Sequence, residues 1–279
     1  MNYRHAFHAG NFADLLKHAM LTALMQSLTT AAAGPLLVVD THAGAGAYDL
    51  TGELARKTGE AEAGIVRLMA ASSAPAAFTD LKAAVTRLNP AGPVRHYPGS
   101  PLLIAGALRS GDRYVACEIR PDDQAALRAT IRGKAGVEVA GADGWATALE
   151  RSMGWRGRRL VLIDPPFERA DDYAQILSVS DGLLAQDAAA AIAVWLPIKD
   201  LATFDAFLGD LEDVVAGAPM LVAQVRLRPL SNPMKMNGCA MLVVNPPITL
   251  TAIANEAAGW IAATLGEPGA MGGARLIGA

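Results

Sequence analysis

The segment richest in possible chemistry is Leu160-Val161-Leu162-Ile163-Asp164-Pro165-Pro166-Phe167. Its four apolar residues spell a buried strand, and an acid, two prolines and an aromatic ring follow at the strand's end. These parts suit a reaction at the exocyclic amine of a nucleobase, such as N6 of adenine. That nitrogen's lone pair is delocalised into the purine, so the amine is a poor nucleophile. Hydrogen bonds from its two protons, to the Asp164 carboxylate and to a main-chain carbonyl in the Pro165-Pro166 turn, favour the pyramidal form that attacks. Proline fixes the direction of that carbonyl because its φ is locked. Phe167 can stack on the base, a contact of roughly 1–3 kcal/mol in other base–aromatic stacks. Asp-Pro-Pro is also an ordinary strand exit, so its meaning depends on its place in the chain. A second copy, Asn245-Pro246-Pro247, also follows an apolar strand, but Ile248 offers no ring and that strand comes last in the series.

Upstream, the apolar run 36–39 leads into Asp40-Thr41-His42-Ala43-Gly44-Ala45-Gly46. Glycines there let the backbone turn sharply at a strand's carboxyl end and admit a ligand close to it. The same Gly-x-Gly is also a plain strand-to-helix turn. A dinucleotide fingerprint wants a third Gly or Ala at position 49, where Asp49 stands, and an acid about twenty residues further on. The acid that ends the next strand is Glu118, across a long intervening stretch. A cofactor without a pyrophosphate therefore fits better. S-adenosylmethionine has a ribose that Glu118 can hold through both hydroxyls and a sulfonium that tolerates a carboxylate such as Asp40. The alternative for Glu118 is a merely exposed strand-end acid. Asp143-Gly144 follows the third strand, where Asp143 can accept from the amino group of the cofactor's adenine, although Asp-Gly is also the commonest of turns.

A mostly parallel sheet is needed to position these groups. Short apolar runs at 35–40, 113–118, 137–140, 160–164 and 189–197 alternate with helical stretches such as 122–131 and 172–184. Two further strands, 219–227 and 239–245, are joined by a Pro/Asn/Gly-rich loop, which suits an antiparallel hairpin better than a parallel crossover. A parallel sheet closed by such a hairpin is the α/β shape of the class I S-adenosylmethionine-dependent methyltransferases rather than of a dehydrogenase. The span between the first and second strands is too long for one crossover helix. It predicts a small helical insertion, residues 50–95, within a single domain over 1–279, with helices around 60–71 and 76–88. The Gly/Ala-rich stretch 266–279 is expected to be loosely ordered, with 275–277 as a short edge strand.

Composition narrows the classes. A chain of 279 residues with 52% hydrophobic and 18% charged residues is a well-packed globule, not a disordered binder. No apolar run approaches the ~18 residues needed to span a bilayer, and the start lacks a signal-peptide core, so a cytoplasmic protein is expected. Two cysteines, Cys117 and Cys239, make neither a disulfide framework nor a zinc site. His5, His8 and His18 lack a matching Cys or carboxylate pattern, so no metal is expected. The net charge of −3 means that a nucleic-acid surface must be a local patch. The tightest basic cluster is Arg151, Arg156, Arg158 and Arg159, which also reads as a solvated loop.

With these residues placed, the chain resembles the bacterial 23S rRNA adenine-2030 N6-methyltransferases of the RlmJ type almost end to end. The likeness rests on Tyr3-Arg4-His5-Ala6-Phe7-His8-Ala9-Gly10-Asn11, Leu16-Lys17-His18, the loop from Asp40 to Gly46, Tyr97-Pro98-Gly99-Ser100-Pro101, Ala142-Asp143-Gly144 and Asp164-Pro165-Pro166-Phe167. The amino-terminal stretch is the specific part; many methyltransferases share the others. The resemblance implies a class I fold with a helical insertion and S-adenosylmethionine as donor. It implies cofactor contacts at His18, His42, Ser100, Glu118, Asp143, Gly144 and Asp164, beside the Gly44 of the loop. It also implies Asp164 as proton acceptor, Tyr3 at the RNA, and 23S rRNA as partner. It does not imply an oligomeric state, and a monomer is expected. Two departures are mild: Phe167 stands where Tyr is often found, and Arg120 where His is expected. A DNA adenine-N6 methyltransferase would use the same tetrapeptide but usually adds a sizeable recognition domain. A non-enzymatic DNA-utilisation or competence protein would not need an intact glycine loop, Glu118 and Asp164.

Overall fold

The computed structural model describes residues 5–30, 34–230 and 236–278; Tyr3 lies outside them. The strands are β1 (Leu36–Asp40), β2 (Ala47–Asp49), β3 (His96–Pro98), β4 (Arg113–Cys117), β5 (Val137–Ala140), β6 (Arg158–Ile163), β7 (Ala191–Ile198), β8 (Met220–Arg226), β9 (Gly238–Val244) and β10 (Met271–Ile277). Eight of them form one sheet in the order β10-β8-β9-β7-β6-β1-β4-β5, while β2 and β3 pair separately. β1, β4, β5, β6 and β7 are mutually parallel, and β9 runs antiparallel between β7 and β8. This is the class I methyltransferase arrangement that the sequence predicts, hairpin included.

The helices are α1 (Phe12–Thr30), α2 (Glu53–Thr58), α3 (Arg67–Ala70), α4 (Thr79–Leu88), α5 (Ser100–Ala107), α6 (Pro121–Thr130), α7 (Gly144–Ser152), α8 (Asp172–Gln186), α9 (Leu201–Val215) and α10 (Leu250–Leu265). Strand periodicity sorts them into two layers. Leu36, Val38, Tyr114, Ala116, Leu160 and Leu162 point to the layer of α1, α5, α6 and α10. Their neighbours Leu37, Val39, Val115, Cys117, Val161 and Ile163 point to α7, α8 and α9. The alternation is the two-residue period of a strand buried on both faces.

The stretch assigned to the insertion holds α2, a π-helical turn at Glu62–Val66 that runs into α3, and a 3-10 turn at Ala76–Phe78 that runs into α4. It therefore contains the expected helices, broken more often than the periodicity suggests. The carboxyl end differs from expectation. Residues 271–277 form a full strand paired with β8 along its whole length, from Met271 opposite Arg226 to Ile277 opposite Met220. The glycines there reflect close approach rather than looseness. A Cβ on Gly272 would lie 2.0 Å from the Ala258 carbonyl oxygen of α10. Gly272→Ala should consequently cost about 1–3 kcal/mol through overpacking and lower the thermal midpoint by several degrees. An unchanged melting curve would show that β10 is not clamped against α10.

Candidate active site

The parallel strands β1, β4 and β6 end side by side, and their exits build a crevice of the kind in which open α/β sheets bind ligands. Backbone bonds shape the glycine loop from both sides: Thr41 N donates to Leu162 O (3.0 Å) and Ala43 N to Cys117 O (2.8 Å). Gly44 has φ +65, and a Cβ there would stand 2.4 Å from the Tyr48 hydroxyl, so any larger residue would be strained and would have to displace that hydroxyl. Its N–H donates to Glu118 Oε2 (3.0 Å), while Arg120 N donates to Oε1 (2.7 Å). Both oxygens of Glu118 are thus fixed by main chain at the crevice wall. Burial raises its pKa, against the pull of those two N–H groups.

A cavity of about 290 Å³ opens over this loop, lined by His18, His42, Gly44, Ser100, Glu118 and Asp164 among others. Six of the positions expected to contact the cofactor therefore converge. Ser100 Oγ donates to Asp40 Oδ2 (2.7 Å), and the Tyr114 hydroxyl donates to the same oxygen (3.1 Å). His18 shares a 2.7 Å hydrogen bond with the Tyr97 hydroxyl, and burial pushes its pKa down to about 3. His42 packs edge-on against Trp145 with ring centroids 4.9 Å apart, and burial takes its pKa down to about 4. Both imidazoles are neutral at physiological pH. Asp143 and Gly144 do not line this cavity. Asp143 caps α7, accepting from Trp145 N (3.3 Å) and Ala146 N (3.4 Å). A Cβ on Gly144 would lie 2.0 Å from Thr41 O, so glycine lets α7 start against the loop.

A second cavity of about 420 Å³ shares the Asp-Pro-Pro turn with the first. Asp164, Pro165 and Pro166 line both cavities, as do His5, Lys17 and Glu168. Phe167 lines only the second, with φ 51, unusual for a residue with a Cβ. Its ring rests against Tyr173 (5.1 Å) and Trp195 (5.9 Å), which hold it in that conformation.

Sequence reasoning missed the partners of Asp164. Lys17 Nζ reaches Asp164 Oδ2 at 2.7 Å and Asp14 Oδ1 at 2.9 Å. Burial works against the charge on both α1 residues, yet each keeps it. The two carboxylates raise the Lys17 pKa well above its usual value, and the neighbouring His5 and Lys17 hold Asp14 well below its own. Asp14 Oδ2 is further bonded by His5 Nε2 (3.0 Å) and Gly10 N (2.9 Å). A signal was present: Asp14, Lys17 and His18 interrupt the apolar run from Ala13 to Leu21, and Asp14 and Lys17 stand three apart, a spacing that joins opposite charges on a helix.

Other candidates fall elsewhere. Arg151, Arg156, Arg158 and Arg159 gather around the amino-terminal end of β6, opposite Asp164. Arg159 is buried and ion-paired with Asp187, and Arg151 pairs with Glu138 at 2.6 Å. The tightest basic cluster of the sequence is thus partly structural, and none of its residues lines either cavity. Asn245 also emerges at that far end, because β9 is antiparallel, and its Nδ2 donates to Ala188 O and Ala190 O. Cys117 and Cys239 are free and buried. Among the described residues, no group of three His, Cys, Asp or Glu side chains could hold a metal ion, and no helix is long and apolar enough to cross a membrane.

Asp40 supplies a pH test. Burial raises its pKa from 3.8 to about 6, the Ser100 bond opposing and the Asp164 charge adding to the shift. Between about pH 4 and 6 the folded state therefore holds a proton that the unfolded state has lost, so this group's contribution to stability falls as pH rises through that window. Relative to wild type, Asp40→Asn should gain stability from pH 4 to 7, by on the order of 3 kcal/mol at most. Parallel pH–stability curves for the two proteins would refute the shifted carboxyl.

Comparison with known proteins agrees with this geometry. Residues 33–277 match the family model described as ribosomal RNA large subunit methyltransferase D, RlmJ. The ribosomal RNA large subunit methyltransferase J of Escherichia coli is 34% identical over 94% of this chain and 92% of its own length. Its Haemophilus influenzae counterpart is 33% identical over 95% and 94%. The crystal structure of protein LPL1258 from Legionella pneumophila superposes with a TM-score of 0.83 at 27% identity, covering 97% of each chain. The chain belongs to the RlmJ family of ribosomal RNA large subunit methyltransferases.

Proposed function

We propose that this protein transfers a methyl group from S-adenosylmethionine to the N6 amine of one adenine in 23S rRNA, nucleotide 2030, in the cytoplasm. The observation that carries the reading is the wall of Asp164, Pro165 and Pro166 shared by two adjoining cavities. One cavity suits the donor and the other a nucleobase turned out of its stack. The names of the two curated relatives, both ribosomal RNA large subunit methyltransferases, support RNA as the substrate.

The first cavity fits S-adenosylmethionine on its own chemistry. Glu118 is pinned through one bond to each oxygen, which leaves lone pairs for the two ribose hydroxyls. His18 and His42 are neutral, so neither repels a cation. When bound, the cofactor supplies an electrophilic methyl group on its sulfonium. The protein's share is orientation and proton handling. Lys17 occupies Asp164 Oδ2, which leaves Oδ1 to accept from the amine. A carbonyl of the Pro165-Pro166 turn accepts a hydrogen bond from the second amine N–H, with its direction set by the rings. Phe167, backed by Tyr173 and Trp195, offers the base a face. After transfer the nitrogen carries a surplus, strongly acidic proton, which Asp164 is placed to receive.

Two variants divide these roles. Glu118→Ala loses two charge-assisted bonds to the ribose, each on the order of 1.5–3 kcal/mol, so calorimetry should show at least about tenfold weaker cofactor binding. Unchanged affinity in the folded variant would remove the ribose assignment. For Asp164, single-turnover methylation of rRNA is the measurement. Asp164→Ala should be nearly inactive, and Asp164→Asn should fall by about 10²–10⁴-fold if the charge and basicity matter. An Asn variant within about tenfold of wild type would mean that Asp164 only orients the amine. An Ala variant at near-normal rate would move the chemistry elsewhere.

A further inference from the structure

The segment ahead of α1 brings His5 to both cavities, and the helical stretch 50–95 holds that segment in place. Glu60 accepts from His8 Nδ1 through both carboxylate oxygens (3.0 and 3.1 Å) and from Asn11 Nδ2 through Oε2 (2.8 Å). Nearby, Thr58 Oγ1 donates to Phe7 O (2.7 Å) and Ile65 N to Gly10 O (2.8 Å). The contact is close: a Cβ on Gly64 would sit 2.1 Å from Gly10 O. Asn11 belongs to both sides of this junction. While its Nδ2 is on Glu60, its Oδ1 caps α1 by accepting from Ala13 N (2.9 Å) and Asp14 N (3.0 Å). One turn further, Asp14 holds His5 and Lys17, and Lys17 holds Asp164.

We propose that Glu60 is a positioning residue for methyl transfer, which anchors the amino-terminal segment to the helical insertion so that His5, Asp14 and Lys17 set the Asp164 carboxylate. This rests on the reading of Asp164 as the acid that meets the substrate amine. A carboxylate suits the post because it can accept from two different side chains at once without donating. Its bond to Glu60 raises the His8 pKa, and the bonds from His8 and Asn11 lower that of Glu60 against the effect of burial. The two shifts point the same way, to a charge-assisted contact. The insertion thereby acquires a task in catalysis while contributing none of the groups that line either cavity.

The test compares wild type, Glu60→Ala and Glu60→Gln as full chains in three measurements: amide hydrogen exchange, S-adenosylmethionine affinity by calorimetry, and single-turnover methylation of 23S rRNA lacking the modification. In Glu60→Ala, exchange should accelerate across residues 5–11 while the rest of the fold keeps its protection. Its single-turnover rate should fall about 10- to 100-fold, the scale of a misplaced catalytic group, with a much smaller loss of cofactor affinity. Glu60→Gln keeps an acceptor oxygen and should recover most of the rate, within about threefold of wild type. Unchanged exchange in Glu60→Ala overturns the anchor. An unchanged rate, or an affinity loss as large as the rate loss, overturns the positioning role. If wild type itself leaves the rRNA unmethylated, the functional reading fails, and the exchange measurement still decides whether Glu60 is the anchor.

Discussion

The ammonium of Lys17, buried between the carboxylates of Asp14 and Asp164, ties the first helix to the end of the fourth strand of the parallel series. A lone charge in such a place would be expelled or neutralised, since desolvation costs several kcal/mol per ion. Three charges with excellent geometry can stay. The arrangement makes the first helix part of the site: α1 must lie in register against the sheet for Lys17 to reach Asp164, and both carboxylates favour the charged form of Lys17. Removing one member of such a buried set costs about 3–5 kcal/mol in other proteins, so the set constrains sequence as firmly as it orients the carboxylate.

The sheet supplies the rest of the constraint. Parallel strands β1, β4 and β6 release their chains at one end, and each release carries one part of the site: the glycine loop, Glu118, and Asp164 with its prolines. The antiparallel β9 releases its chain at the other end, which disqualifies Asn245 despite an equivalent local sequence. Strand direction, rather than motif, separates the two. Burial then sets protonation. It makes His18 and His42 neutral and leaves Asp40 half-titrated near pH 6 beneath Ser100.

Local signals made the sheet and the lining of the first cavity legible in the sequence. Apolar runs marked the strands, and the residues after them marked the crevice. What stayed hidden had no local signature. α1 is buried on nearly every face, Asp14 and Lys17 included, so it lacks the two-sided pattern that advertises a surface helix. The partnership of Lys17 with Asp164 joins residues far apart in the chain. Glycine was ambiguous: at Gly44 it marks a turn that lines the first cavity, at Gly144 a helix start against the loop, and at Gly272 a strand pressed on α10. Clustering in sequence says nothing of burial: within the arginine cluster before β6, Arg159 is spent on Asp187.

The central claim is that the wall between the two cavities presents an rRNA adenine to a methyl donor. Mapping N6-methyladenine in 23S rRNA tests it most directly, using cells with the gene, cells without it, and cells carrying only Asp164→Ala. The account predicts a mark at nucleotide 2030 in the first and its loss from both others. A mark that persists in cells without the gene would contradict it.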